Sequence, residues 1–259
     1  MVLRHLEYGP TAGETGRDGA TAPVVLLGSI ASDPDMWLPQ LDALARDRRV
    51  IALNYHGHGG TPVPAGAPTD MSGVTAEVLA TLDGLGVEDF DVVGLSLGGA
   101  IAQALAAGSP RVRRAAFLCT ATSFGGAEKW NARAELTSAE GMAPMVDGVL
   151  DLWVTPTFRR DHAATTGRLR DMIAATDGAG YTAYARVLAD FDSRGVLPEI
   201  TCPVLTLAGS DDVSTPPAAL AEIAGLVSGP VESVEVPGAH VPTVESPDEV
   251  TEALRNFLG

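Results

Sequence analysis

Phe90-Asp91-Val92-Val93-Gly94-Leu95-Ser96-Leu97-Gly98-Gly99 joins two kinds of pattern in one short run. Phe90 to Val93 is β-branched and apolar, as a buried strand is, while Gly98 to Ala107 is rich in alanine, as a helix is. Between them Gly94-Leu95-Ser96-Leu97-Gly98 fits the pattern G-x-S-x-G, and a strand before with a helix after is the context that gives this motif meaning. A sharp strand-to-helix turn holds its central residue in a strained backbone conformation. Side chains at the flanking positions would clash with the neighbouring strand and helix, so glycine is required there. Ser96 is therefore expected at a sheet edge, its Oγ beside a helix N-terminus whose free N–H groups and dipole favour developing negative charge.

Outward from this turn, strand and helix patterns alternate, as a parallel sheet with crossover helices requires. Strands are predicted at Val24 to Leu27, Val50 to Asn54 and Ala115 to Cys119, with helices at Met36 to Ala45 and Met71 to Leu85. The alternation lapses between Thr120 and Arg194, where Trp130 to Leu136, Met142 to Trp153, Thr165 to Ala175 and Gly180 to Ala189 read as helices following one another. It resumes with strands Val204 to Ala208 and Val231 to Val236 and helices Pro217 to Leu226 and Pro247 to Leu258. The expected class is α/β, a mostly parallel central sheet flanked by helices. Residues 1–120 and 195–259 form the core, and residues 121–194 form an inserted helical lid. Gly13 to Ala22 reads as an exposed hairpin or loop.

A serine hydroxyl is a weak nucleophile near neutral pH, so a base must take its proton and a carboxylate must fix the tautomer of that base. His240, in Gly238-Ala239-His240-Val241-Pro242, lies just beyond the last strand, where a loop at the sheet edge can aim an imidazole at Ser96. His5, His56, His58 and His162 do not fit the chain order serine, acid, histidine. The acid is expected after the preceding strand, in Gly209-Ser210-Asp211-Asp212. Spacing leaves both aspartates open, the other being suited to capping the turn. An oxyanion formed at Ser96 needs two backbone N–H donors. Leu97, after the nucleophile, supplies one, and Ile30, in the loop Leu27-Gly28-Ser29-Ile30-Ala31, is expected to supply the other.

Composition narrows the partners. With 46% hydrophobic and 19% charged residues the chain is too apolar to be disordered. A formal charge of -16 argues against nucleic acid and anionic membranes as partners, because both are bound through Lys and Arg. The same field repels an acidic substrate unless a local cation outweighs it. Cys119 and Cys202 read as reduced, buried thiols, and no Cys/His grouping has metal-ligand spacing, so neither metal nor organic cofactor is expected. Met1 to Pro10 lacks the apolar core of a signal peptide and no apolar run is long enough to span a membrane, which suggests a cytoplasmic protein.

With these residues located, the chain resembles the α/β-hydrolase superfamily over nearly its whole length, and more narrowly the 3-oxoadipate enol-lactonases. The narrower resemblance lies in Gly28-Ser29-Ile30-Ala31-Ser32-Asp33 with Met36-Trp37 and Pro39-Gln40, in the Phe90 to Gly99 turn, and in Trp130-Asn131-Ala132-Arg133. It continues in Trp153-Val154-Thr155-Pro156-Thr157-Phe158 and in Asp211-Asp212-Val213-Ser214-Thr215-Pro216-Pro217. The resemblance implies Asp212 as the acid, Trp130 and Arg133 as lid residues that receive a substrate carboxylate, and a lactone or ester as substrate. The chain departs from the family at Asn54 and His56, where Asp and Arg are more usual, and at Ile30-Ala31, where Leu-Gly is.

Overall fold

The computed structural model describes residues 2–10 and 22–259. The stretch 13–21 expected as a hairpin or loop lies outside the described residues. Seven strands form one sheet: β1 (Arg4–Tyr8), β2 (Val24–Leu27), β3 (Val50–Asn54), β4 (Phe90–Leu95), β5 (Val112–Leu118), β6 (Val204–Gly209) and β7 (Val231–Val236). Their order is β1-β3-β2-β4-β5-β6-β7. β1 pairs antiparallel with β3 and every other pairing is parallel.

Burial follows position in that order. β2, β3, β4 and β6 are buried at every residue, because helices cover both faces of a parallel sheet. β1 and β7 are the edges and are largely exposed. That explains why β1 has no sequence signature: Arg-His-Leu-Glu-Tyr has neither an apolar run nor a clean alternation.

The crossover helices are α1 (Leu38–Leu44), α2 (Met71–Gly84), α3 (Leu97–Gly108), α9 (Pro217–Leu226) and, after β7, α10 (Pro242–Glu245) and α11 (Pro247–Leu258). Helix α1 starts later than the sequence predicts. Asp33 caps a 3-10 turn, Pro34–Trp37, that precedes it. Between β5 and β6 the chain runs through α4 (Ala127–Glu140), α5 (Val146–Trp153), α6 (Pro156–Asp161), α7 (Ala163–Ala174) and α8 (Gly178–Ala189) without a strand. Helix α6, not anticipated, is short and starts at Pro156 behind a Thr155 cap whose Oγ1 accepts from Phe158 N.

This insertion is tied to the sheet edge at two places. Asp177 N donates to Gly57 O and the Tyr184 hydroxyl is the partner of His56 N, fastening α8 to the turn after β3. There Gly57 and Gly180 touch so closely that a Cβ on either would lie 2.6 Å from the other's Cα. At the second place Val241 N donates to Trp153 O at 2.9 Å, joining the end of α5 to the loop after β7. Among the described residues no helix is long and apolar enough to cross a membrane. Cys119 is buried, Cys202 is partly so, and both are free thiols.

Candidate active site

Because β2, β4, β6 and β7 run parallel, the loops after them share one edge of the sheet, the usual place for a site in such folds. Ser96 sits between β4 and α3 with φ 59° and ψ -114°, a conformation that non-glycine residues seldom adopt. The glycines around it have the role the sequence assigns them. A Cβ at Gly94 would lie 2.1 Å from Gly98 O, and one at Gly98 would lie 2.1 Å from Leu27 O. Ser96 N donates to Leu118 O and Gly98 N to Gly28 O, which fixes the turn against both neighbouring strands.

His240 Nε2 lies 2.8 Å from Ser96 Oγ, and His240 Nδ1 lies 2.8 Å from Asp212 Oδ2. With its proton on Nδ1 the imidazole donates to the carboxylate and accepts from the serine hydroxyl. All three side chains are buried. Asp212 also accepts from Ser214 N at 2.8 Å, Thr215 N at 3.1 Å and Thr215 Oγ1 at 2.8 Å. Burial alone would raise the pKa of Asp212. The charge of His240 and the hydrogen bonds from His240 and Thr215 outweigh burial and hold it below the usual carboxylate range. Asp211 is exposed, and among the described residues its side chain accepts only from Ser210 Oγ. Of the two aspartates that spacing left open, Asp212 is the one that meets His240, and it also makes the turn-capping bonds expected of its neighbour.

Thr215 is a residue the sequence reading passed over; its hydroxyl also lies 3.2 Å from His240 Nδ1. Cys119 is another. It directly follows β5 with φ 42°, and burial followed by the nearby Asp212 charge pushes its thiol pKa well up, so it stays protonated.

Leu97 is the first residue of α3, so its N–H has no intrahelical acceptor. The hydrogen bonds of the loop after β2 run from Ser32 N to Ser29 O and from Ser29 N to Met36 Sδ, leaving Ile30 N outside them. Ala31 has φ 66°, in the region that favours glycine. Asn54 and His56 each find a side-chain partner within the protein. Asn54 Nδ2 bonds Thr61 Oγ1 at 3.0 Å within the turn, and His56 Nε2 pairs with Glu77 Oε2 of α2 at 3.0 Å. His58 is stacked edge-on against Tyr55 and Tyr184, and the Tyr55 hydroxyl donates to Gly28 O.

In the insertion, Arg133 lies over the Trp130 ring, 4.9 Å from its centroid, in cation–π contact. The indole N–H of Trp130 donates to Phe124 O, so the ring face is what this residue offers. Among the described residues Arg133 has no carboxylate within salt-bridge distance. Its charge acts on Tyr181, where burial raises the phenol pKa and the guanidinium draws it partly back. Lys129, missed by the sequence reading, lies over the same ring at 5.7 Å and is the single lysine of the sequence. Burial and then the Arg133 charge lower its pKa.

Comparison with known proteins accords with this geometry. A model of the alpha/beta hydrolase family matches residues 24–253. The chain is 29% identical over 237 residues to 3-oxoadipate enol-lactonase 2 of Acinetobacter baylyi, covering 91% of this chain and 88% of that protein. It is 32% identical over 206 residues to 3-oxoadipate enol-lactonase 1 of the same organism, covering 77% and 74%. The crystal structure of the enol-lactonase from Burkholderia xenovorans LB400 superposes with a TM-score of 0.92 at 31% identity, covering 99% of this chain and 96% of that one. The fold, the single match spanning core and insertion, and the relatives together identify the chain as a member of the alpha/beta hydrolase family.

Proposed function

We propose that this chain is a cytoplasmic serine hydrolase that opens the lactone ester of a small carboxylated enol-lactone through an acyl-enzyme. The observation that carries the reading is the hydrogen-bonded chain Asp212–His240–Ser96 at the sheet edge. Ser96 Oγ attacks the carbonyl carbon while His240 Nε2 takes the hydroxyl proton, and Asp212 stabilises the imidazolium that forms. The N–H groups of Ile30 and Leu97 receive the oxyanion, a contribution typically worth about 100- to 1000-fold per donor. Collapse of the tetrahedral intermediate breaks the ring C–O bond. His240 protonates the leaving oxygen, and the product enol tautomerises to a ketone. Water, deprotonated by His240, then releases the acid. The insertion of residues 121–194 acts as the lid.

Arg133 supports the substrate class. In a chain of net charge -16, an arginine stacked on an aromatic ring, with no carboxylate partner among the described residues, is a local counter-field suited to a carboxylate. The test is steady-state hydrolysis of 3-oxoadipate enol-lactone by the wild type, by Arg133→Ala and by Ser96→Ala. Fast wild-type turnover, with KM raised at least tenfold in Arg133→Ala and turnover lost in Ser96→Ala, is the expected outcome. Turnover of simple esters but not of the enol-lactone would move the substrate to another small ester or lactone. Wild-type turnover by Ser96→Ala would sink the mechanism.

A further inference from the structure

Glu245, the last residue of α10, accepts hydrogen bonds from two separate parts of the chain. Its Oε2 takes Ala239 N at 2.9 Å, immediately before His240. The same carboxylate takes Thr155 N, at 3.3 Å to Oε1 and 3.2 Å to Oε2, and the Thr155 hydroxyl on Oε1. Thr155 belongs to the insertion, 90 residues away in sequence, and is the cap of α6. Its hydroxyl therefore has a settled direction: it donates to Glu245 and accepts from Phe158 N. The approach is tight, since a Cβ at Gly238, where φ is 108°, would lie 3.1 Å from Glu245 Cγ and Cδ.

The contact lies where the histidine loop most needs support. Val241 N donates to Trp153 O, and His240 N points to Leu152 O at the longer distance of 3.4 Å. On the other flank Asp211 N donates to Gly238 O, and Ser246 Oγ bonds Pro237 O at 2.7 Å. Ala239 N would be left with no acceptor among the described residues were Glu245 removed. We propose that Glu245 is a positioning residue: its carboxylate clips the insertion to the histidine loop and so sets the distance from His240 to Ser96. It touches neither substrate nor the reacting atoms. The proposal rests on the serine-hydrolase reading above. It goes further by making lid placement and histidine placement one event.

Misplacing a catalytic group by about 1 Å can cost on the order of 100-fold in rate. Removing one of several anchors should cost less, on the order of tenfold. The experiment measures kcat and KM for 4-nitrophenyl acetate with Glu245→Ala, Glu245→Gln, Thr155→Val and Ser96→Ala, below the melting transition of every variant. The expected result is kcat reduced about tenfold in Glu245→Ala and severalfold in Thr155→Val, with KM within about twofold of wild type. Glu245→Gln keeps an acceptor for Ala239 N and should recover most of kcat. Combining the alanine and valine changes should lower kcat no further than Glu245→Ala alone, because both break one clip. Wild-type kcat in folded Glu245→Ala, or a multiplicative loss in the double variant, would overturn the proposal. If Glu245→Ala does not fold, Thr155→Val decides, and an unchanged kcat there overturns it. Activity retained in Ser96→Ala would instead overturn the underlying reading, so the two failures are distinguishable.

Discussion

Ser96 and His240 meet at 2.8 Å but are held by opposite means. The serine turn is built from backbone: Gly94 and Gly98 leave no room for a side chain, and Ser96 N and Gly98 N are bonded to carbonyls of neighbouring strands. The histidine loop depends on side chains, with Asp212 on the imidazole and Glu245 on the residue before it. A backbone-built turn is steric and local, and changing its glycines damages folding. A side-chain-built loop is electrostatic and long-range, and under the proposed function changing its partners is expected to damage chemistry while the fold survives.

The sharpest test of that contrast is on the histidine side. Asp212→Asn should lower kcat by about 10⁴-fold, the order seen when a triad carboxylate loses the ability to hold the right tautomer. Asp211→Asn should stay within about twofold, and steady-state kinetics of the two variants side by side decide it. On the serine side, Gly98→Ala should cost about 3 kcal/mol of stability or more, since its Cβ would sit 2.1 Å from a backbone carbonyl oxygen. Gly148→Ala, in α5 with nothing near its Cβ, should be neutral or stabilising by about 0.5–1 kcal/mol. Urea denaturation reads both, and equal losses would break the comparison.

A third test concerns His58, packed with Tyr55 beneath Gly28, whose carbonyl receives both Tyr55 and Gly98 N. Burial pushes its pKa down to about 4, while its Nδ1 donates to His56 O. The unfolded chain binds this proton near pH 6.5 and the native state does not. Stability present above pH 6.5 is therefore lost as pH falls toward 4, by about 3 kcal/mol in full. The unfolding free energy of the wild type should fall more steeply with pH across that window than that of His58→Phe; parallel slopes would exclude His58. The smallest effect is expected at Ala31, whose φ of 66° strains an alanine but not a glycine. Ala31→Gly should change stability by less than about 1 kcal/mol, because released strain offsets the lost methyl and the freer unfolded chain. Ala102→Gly within α3 should cost about 1 kcal/mol by the same melting assay.

The same contrast explains what could be read in advance. Ser96, Gly94 and Gly98 announce themselves because the constraint acts between residues close in sequence. The buried strands did so because covered parallel strands are apolar throughout. Edge strand β1 did not, being paired on one side and exposed. Asp212 could not be separated from Asp211 by spacing; burial and four donors separate them in space. Thr215 and Glu245 carry no motif of their own, since a threonine in a turn and a glutamate in a short helix are ordinary until their partners are known. In the sequence His56 stands out only as a departure from the family, and its partner Glu77 on α2 shows a buried pair.

Lys129 gives the molecule a chemical handle. A sequence of 259 residues with one lysine has one side-chain amine, and that amine lies over Trp130 beside Arg133. Because its pKa is lowered, more of it is unprotonated near neutral pH than of an ordinary lysine. An amine-directed reagent therefore reports on this corner of the insertion and on no other side chain. Protection from acylation by a bound carboxylate ligand would map the ligand to Trp130 without a single substitution.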